Sequence, residues 1–175
     1  GQRYPKDAQM MMTVASILIS AEAEDHIRRL KPLLDQFITA NPDRLEGYMG
    51  LAMITYASGD RETALRAYRR ILELDPFHQQ ALNNLAWILG VEMKKAEEAL
   101  PFANKGVLRY PEDYHMLNTR GVLYYTLDMM SEARKDLEKC VTMVSGVPSS
   151  YAKALFYLGR INLKEGKTEL ARKTL

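Results

Sequence analysis

Few residues of this chain have the type and spacing that catalysis or metal binding requires. The histidines fall at three different places in the repeat described below, so we do not expect them to converge on one site. The acidic pairs are adjacent in sequence, and adjacent residues of a helix do not face each other. The candidates are His26, His78, His115, Cys140, Glu97–Glu98 and Glu112–Asp113. No hydrolase, zinc or nucleotide-binding motif accompanies them, so the sequence predicts a protein that is not an enzyme and needs no cofactor or metal.

Length, composition and charge further limit the partners and compartments that the protein could have. The 175 residues are 47% hydrophobic and carry a net charge of only +2, which is too small to indicate a nucleic acid or an anionic membrane as the partner. The longest apolar run, Met10 to Ala21, is too short to cross a bilayer, so we expect no membrane insertion. The single cysteine excludes an internal disulfide and fits a reducing compartment without establishing one, so the compartment stays open, with the cytoplasm slightly favoured over the periplasm.

Small residues and prolines recur along the chain with one period. Pro42, Pro76 and Pro111 lie 34 and 35 residues apart. Two series of small residues have a similar spacing: Ala52, Ala86, Gly121 and Gly159, and Ala64, Ala99, Ala133 and Ala171. Three series with one period indicate an internal repeat, and stacked repeats present a long surface that suits binding.

Each repeat contains the patterns of two helices. In the copy at 45–78, Tyr48, Leu51, Ala52 and Thr55 follow the i, i+3, i+4, i+7 spacing of one helix face. The small residues predict a close approach between the two helices of a pair. Between the helices, a glycine at 59 suits a left-handed helix end and an aspartate at 60 suits the N-cap of the next helix. The glycine at 166 and the aspartate at 128 take the left-handed place in later copies.

The order of these residues resembles the tetratricopeptide repeat: a large residue, a leucine and a small residue, then a small residue and an aromatic in a second helix, then proline. The resemblance covers nearly the whole chain as one solenoid over residues 1–175. The copies lie at about 11–44, where the pattern is degenerate, and at 45–78, 79–113, 114–147 and 152–175, where the last is truncated. It implies an all-α fold, a right-handed superhelix (an α-solenoid) of antiparallel helix pairs.

Departures from the pattern predict local irregularities. One extra residue near Gly90–Lys94 predicts a longer or irregular inter-helix loop, and about four extra residues precede Tyr151. Pro32 should kink its helix or mark a late start. Arg120 replaces a leucine, and we expect its stem to pack while its charged head stays in water. Cys140 occupies a position that is normally small and buried, which predicts a core residue with a raised thiol pKa.

The resemblance also implies a binding groove, because the first helices of tetratricopeptide proteins line the concave face. Methionine, tryptophan and tyrosine stand there, more apolar than a face that meets only water, and amides suit a peptide backbone. Packing between neighbouring first helices is the alternative interpretation. The predicted groove residues are Met49, Met53, Tyr56, Asn83, Asn84, Trp87, His115, Asn118, Tyr125, Lys153, Tyr157 and Arg160. The predicted function is therefore a non-catalytic scaffold that binds a peptide or helix of a partner protein, with no small-molecule substrate.

Other functions stay open. A helical-repeat RNA binder is one, although the near-neutral charge argues against it, and the non-catalytic arm of a larger enzyme is another. The basic cluster Arg66, Arg69 and Arg70 is interpreted as a solvated outer face. The two-carboxylate clamp of chaperone-binding tetratricopeptide domains is not matched. Because Leu175 ends the sequence without a polar cap, we expect either that the natural protein continues or that the open end packs against another molecule, for example by self-association.

Overall fold

In the residues that the structure describes, 24–143 and 148–174 of a computed structural model, every regular element is a helix. Where the connecting residues are described, short turns join consecutive helices, which confirms the prediction of an all-α fold built from helix pairs. The early part of the degenerate first copy and residues 144–147 of the insertion lie outside the described residues. The helices are α1 Glu24–Ala40, α2 Leu45–Ala57, α3 Arg61–Leu74, α4 Gln79–Trp87, α5 Ala96–Arg109, α6 Tyr114–Thr126, α7 Met130–Met143, α8 Pro148–Lys164 and α9 Thr168–Thr174.

The chain divides between Ala81 and Leu82 into two compact units. In the first unit, α1 buries Leu30, Leu34 and Phe37, the residues that the degenerate copy predicts as its apolar face. The second unit, which begins within α4 at Leu82, contains three helix pairs: α4 with α5, α6 with α7, and α8 with α9. We call α4, α6 and α8 its first helices, and α5, α7 and α9 its second helices.

The turns within the helix pairs each contain one residue in the left-handed region. Gly59 has φ of 85°, Gly166 of 75° and Asp128 of 62°, as the sequence predicts. The second pair uses Lys94, with φ of 61°, where no glycine was expected. After Gly59, the Asp60 side chain accepts a hydrogen bond of 3.0 Å from the Thr63 amide, which confirms the predicted N-cap of α3.

Small residues occupy the places where the paired helices cross. Ala64, Ala99, Ala133 and Ala171 are all fully buried. At Gly121 in α6, an added Cβ would lie 2.7 Å from Leu137 Cγ and 3.4 Å from the Ala133 carbonyl oxygen. The helices of this pair therefore approach so closely that even one carbon at this position requires Leu137 to move.

The extra residue near Gly90 is accommodated within the helix. After α4 the chain widens into a π-helical segment, Ile88–Glu92, in which the Met93 amide bonds to the Ile88 carbonyl at 2.9 Å. Such single wide turns absorb a one-residue insertion without breaking the helix. Gly90 allows the wide turn to pack closely against α5, because a Cβ added at position 90 would lie 2.8 Å from Ala99 Cβ. The predicted irregularity is present, as a wide helical turn.

The structure also shows the local features at three other departures from the repeat pattern: Pro32, the insertion at the start of α8 and Arg120. Pro32 lies well inside α1, so it does not mark the start of that helix. Helix α8 begins at Pro148, because proline suits a first helical position whose amide needs no partner. The prediction of a solvated Arg120 head is wrong: the guanidinium donates two hydrogen bonds, of 2.6 and 2.8 Å, to the buried Asp136 carboxylate. That pairing raises the pKa of Arg120.

The contact at Gly121 generates a stability prediction. Gly121→Val should lower the free energy of unfolding by about 1–3 kcal/mol, because the added carbons overlap Leu137 and force α6 and α7 apart. Urea denaturation followed by circular dichroism at 222 nm measures the change. Thr126→Val places the same residue at an exposed position near the end of α6 and should change stability by less than about 0.5 kcal/mol. Equal stability of the two variants would contradict the close approach.

Candidate protein-binding face

The predicted groove residues of the first unit lie on α2. Met49 is buried, and Met53 and Tyr56 are half-buried. The Arg61 guanidinium lies 4.2 Å from the centre of the Tyr56 ring. Burial of Met49 gives this residue a packing role, so Met53 and Tyr56 are the predicted residues of this unit with surface to offer.

In the second unit, direct contacts bring the three first helices together. Between α4 and α6, the Thr119 hydroxyl donates a hydrogen bond of 2.8 Å to Asn83 Oδ1. Between α6 and α8, the rings of Tyr125 and Tyr157 meet edge to face, with centroids 5.2 Å apart. We call the surface they form the first-helix face. It consists of Asn83, Trp87, Asn118, Tyr125, Lys153, Phe156, Tyr157 and Arg160.

Cations lie against the aromatic rings of the first-helix face. Lys153 Nζ lies 4.0 Å from the centre of the Trp87 ring. Arg160 Nε donates a hydrogen bond of 3.0 Å to the Tyr125 hydroxyl, and its guanidinium is 5.8 Å from the centre of the Phe156 ring. These contacts fix long side chains that would otherwise be mobile, because a cation is attracted to the face of an aromatic ring.

The aromatic residues of the first-helix face keep part of their surface in water. Phe156 is 47% exposed, and Trp87, Tyr125 and Tyr157 are half-buried. Burial raises the pKa of the Tyr157 hydroxyl, and Tyr125 raises it further, while Arg160 lowers it in part. Tyr157 therefore stays a neutral phenol at physiological pH, able to donate or accept a hydrogen bond.

Asn118 is the unusual polar residue of the first-helix face. Its side chain is only 7% exposed, and among the described atoms its Oδ1 has no hydrogen-bond partner. The corresponding residue one repeat earlier, Asn83, has its Oδ1 satisfied by Thr119. A buried acceptor without a donor costs about 1–3 kcal/mol. Asn118 thus carries a buried acceptor that no donor satisfies within the described residues.

Among the α-helices of the second unit, acidic side chains are confined to the second helices, whereas cations occur on both kinds. The first helices α4, α6 and α8 contain no aspartate or glutamate. The second helices carry the acidic side chains: Glu97, Glu98, Glu132, Asp136, Glu138 and Glu169. The net charge of the whole chain conceals this separation, which can nevertheless be read from the sequence once the helices are assigned.

Some predicted residues stand apart from the first-helix face, and others were missed. His115 is exposed and stacks on its neighbour Tyr114, with ring centroids 3.9 Å apart. Asn84 is half-buried on α4. Lys164 was not predicted, yet its Nζ lies 5.0 Å from the centre of the Tyr125 ring while pairing with Asp128 at 2.8 Å. Lys164 follows Arg160 by four residues, and this spacing could have placed it on the same side of α8.

Two family models, both described as tetratricopeptide repeat, match residues 49–107 and 114–143, together about half of the chain. They agree with the spacing of the small residues and with the helix pairs. The chain belongs to the tetratricopeptide-repeat family. Among curated proteins, none matches this sequence.

Several solved structures share the fold of this tetratricopeptide-repeat protein. MamA from Desulfovibrio magneticus RS-1 is 17% identical, with a TM-score of 0.79 over 95% of this chain and 90% of that one. PilW, a type IV pilus biogenesis factor, is 14% identical, with 0.79 over 99% and 77%. YrrB, described as having an unusual peptide-binding site, is 16% identical, with 0.74 over 94% and 80%. At these identities the likeness shows the fold alone.

Three further features of this tetratricopeptide-repeat protein are its potential metal ligands, the length of its helices and its cysteine. In residues 24–143 and 148–174, no three potential metal ligands among His, Cys, Asp and Glu come together. Within the same residues, no helix has the length and apolar character needed to cross a membrane. Cys140 is fully buried, and burial raises the pKa of its thiol to about 11, which agrees with the core position predicted from the repeat.

The pKa of Cys140 predicts its reactivity. Because only the thiolate reacts with alkylating reagents, modification of the native protein by iodoacetamide at pH 8 should be at least roughly 100-fold slower than in 8 M urea. Mass spectrometry of quenched time points measures both rates. Rapid native labelling at pH 8 would contradict the burial of this side chain.

Proposed function

We propose that this protein is a non-catalytic interaction scaffold whose first-helix face binds an extended peptide segment of a partner protein. The observation that carries the proposal is the cluster of partly exposed aromatic rings, Trp87, Tyr125, Phe156 and Tyr157, on three adjacent helices. Aromatic side chains supply most of the binding energy in protein interfaces. An aromatic cluster that stays half in water is typical of a surface that binds another apolar surface.

Asn118 adds a means of recognising a peptide backbone. Its buried Oδ1 accepts no hydrogen bond within the described residues, and it stands two helical turns before Tyr125 on α6. A backbone amide of an extended segment has the donor that this acceptor lacks. Binding would therefore gain both apolar contact with the rings and relief of a buried polar group.

The related fold of YrrB, described as having an unusual peptide-binding site, supports peptide binding as a use of this architecture. Catalysis finds no comparable support, because the titratable groups of the first-helix face are two cations held against aromatic rings and two tyrosines, and the pKa of Tyr157 is raised. No nucleophile is activated among them by a neighbouring base. The extended surface of a repeat protein suits a segment of several residues better than a small molecule.

Phage display of random 12-residue peptides on the full chain tests the proposal. Affinity for an enriched synthetic peptide is then followed by the fluorescence of Trp87, the single tryptophan of the chain. Phe156→Ala should weaken binding at least about 10-fold, because it removes an exposed aromatic anchor. Its melting temperature should change little, since nearly half of the side chain is already in water.

The matched control is Leu108→Ala, which removes an apolar side chain that is 82% exposed on the second helix α5. Binding should be unchanged in this variant. If the selection yields no peptide, or if the enriched peptides bind Phe156→Ala and Leu108→Ala equally well, the first-helix face is not the binding site.

A further inference from the structure

We infer that the segment bound by the first-helix face is acidic, with two carboxylates about three residues apart and apolar side chains beside them. The inference rests on the proposed function and specifies the chemistry of its partner. Three observations lead to it: the absence of acidic side chains from the first helices, two cations without a carboxylate, and the position of those cations over three of the four aromatic rings.

The first observation is the absence of acidic side chains from the first helices. Most cations near α6 and α8 are neutralised by acids of the same unit. Arg120 pairs with Asp136, Arg134 with Glu165, and Lys164 with Asp128. Lys153 and Arg160 differ, because among the described residues neither has a carboxylate within ion-pair distance. A surface with two unneutralised cations and no acid on its helices is complementary to an acidic partner.

The geometry of the two cations sets the spacing of the ligand. Lys153 and Arg160 are seven residues apart on α8, which is about 10 Å along the helix axis. An extended segment in the polyproline II conformation advances about 3.1 Å per residue and presents every third side chain on the same side, so carboxylates three residues apart would match both cations. Phe156 and Tyr157 lie between them on the same helix and would contact apolar side chains between the two acids.

The aromatic faces favour a protein over a nucleic acid, which would also be attracted by the cations. Single-stranded nucleic acids bind such surfaces by stacking bases on exposed aromatic faces. Here Lys153 covers the Trp87 ring at 4.0 Å, and Arg160 lies over Tyr125 and Phe156. The rings thus hold the cations in position, and a carboxylate can reach those cations without displacing them from the rings.

The test compares selections on three forms of the full chain: wild type, the double variant Lys153→Gln with Arg160→Gln, and Lys135→Gln. Lys135 is an exposed cation of the second helix α7, so its variant controls for loss of positive charge elsewhere. Peptides enriched on wild type and on Lys135→Gln should be rich in Asp and Glu. Peptides enriched on the double variant should not be.

Titration calorimetry then compares one wild-type-selected peptide with a version in which Asn and Gln replace its acids. Calorimetry avoids the change in Trp87 emission that Lys153→Gln itself will cause. The amide version should bind at least about 10-fold more weakly, as expected for the loss of charge-assisted hydrogen bonds. Raising the salt from 50 to 300 mM should weaken only the acidic version.

Each result has one meaning. Selected peptides that lack acids but still lose affinity on Phe156→Ala would overturn the acidic inference and leave the proposed function intact. Peptides that are acidic but indifferent to Phe156→Ala would overturn the proposed function itself and the inference with it. A 15-residue oligouridine that binds wild type more tightly than the selected peptide would assign the two cations to RNA instead.

Discussion

The close crossing of paired helices at small residues is the constraint on which the other features of each unit depend. Where α6 meets α7, Gly121 lies against Leu137 and Ala133, and no side chain fits between them. The residues three before and four after Gly121 lie on the same side of α6 as the crossing, so the approach of the two helices fixes their position. Tyr125 and Asn118 thereby become part of the first-helix face. A larger residue at the crossing would move them as well.

Much of this fold could be predicted from the sequence, because its determinants are local or periodic. The repeated alanines mark helix crossings, and Gly59, Asp128 and Gly166 mark left-handed turns that few residues adopt. The twelve candidate residues were located by their repeat position alone. The contacts among them, such as Thr119 with Asn83 at a separation of 36 residues, require the relative placement of two helices, which no local pattern contains.

The features that the sequence did not reveal also depend on the relative placement of helices. Arg120 was expected to pack its stem and keep its charged head in water, yet Asp136 on the next helix accepts two hydrogen bonds from that head. The Lys94 turn shows that tertiary packing can hold an ordinary residue in the left-handed region. The unpaired acceptor of Asn118 likewise depends on which side chains surround it. The roles of the charged residues therefore become clear only after the helices are paired. Charges that form ion pairs within a helix pair contribute to the fold, and charges without such a pair are available to a binding partner.

The most direct test of this account is an NMR map of the bound peptide on the protein. Addition of a selected peptide to ¹⁵N-labelled protein should shift the indole signal of Trp87 and the side-chain amide signals of Asn118, with backbone shifts concentrated in α6 and α8. The single tryptophan makes the first signal unambiguous. Shifts confined to the second helices α5 and α7, with the Trp87 and Asn118 signals unmoved at saturation, would contradict binding at the first-helix face.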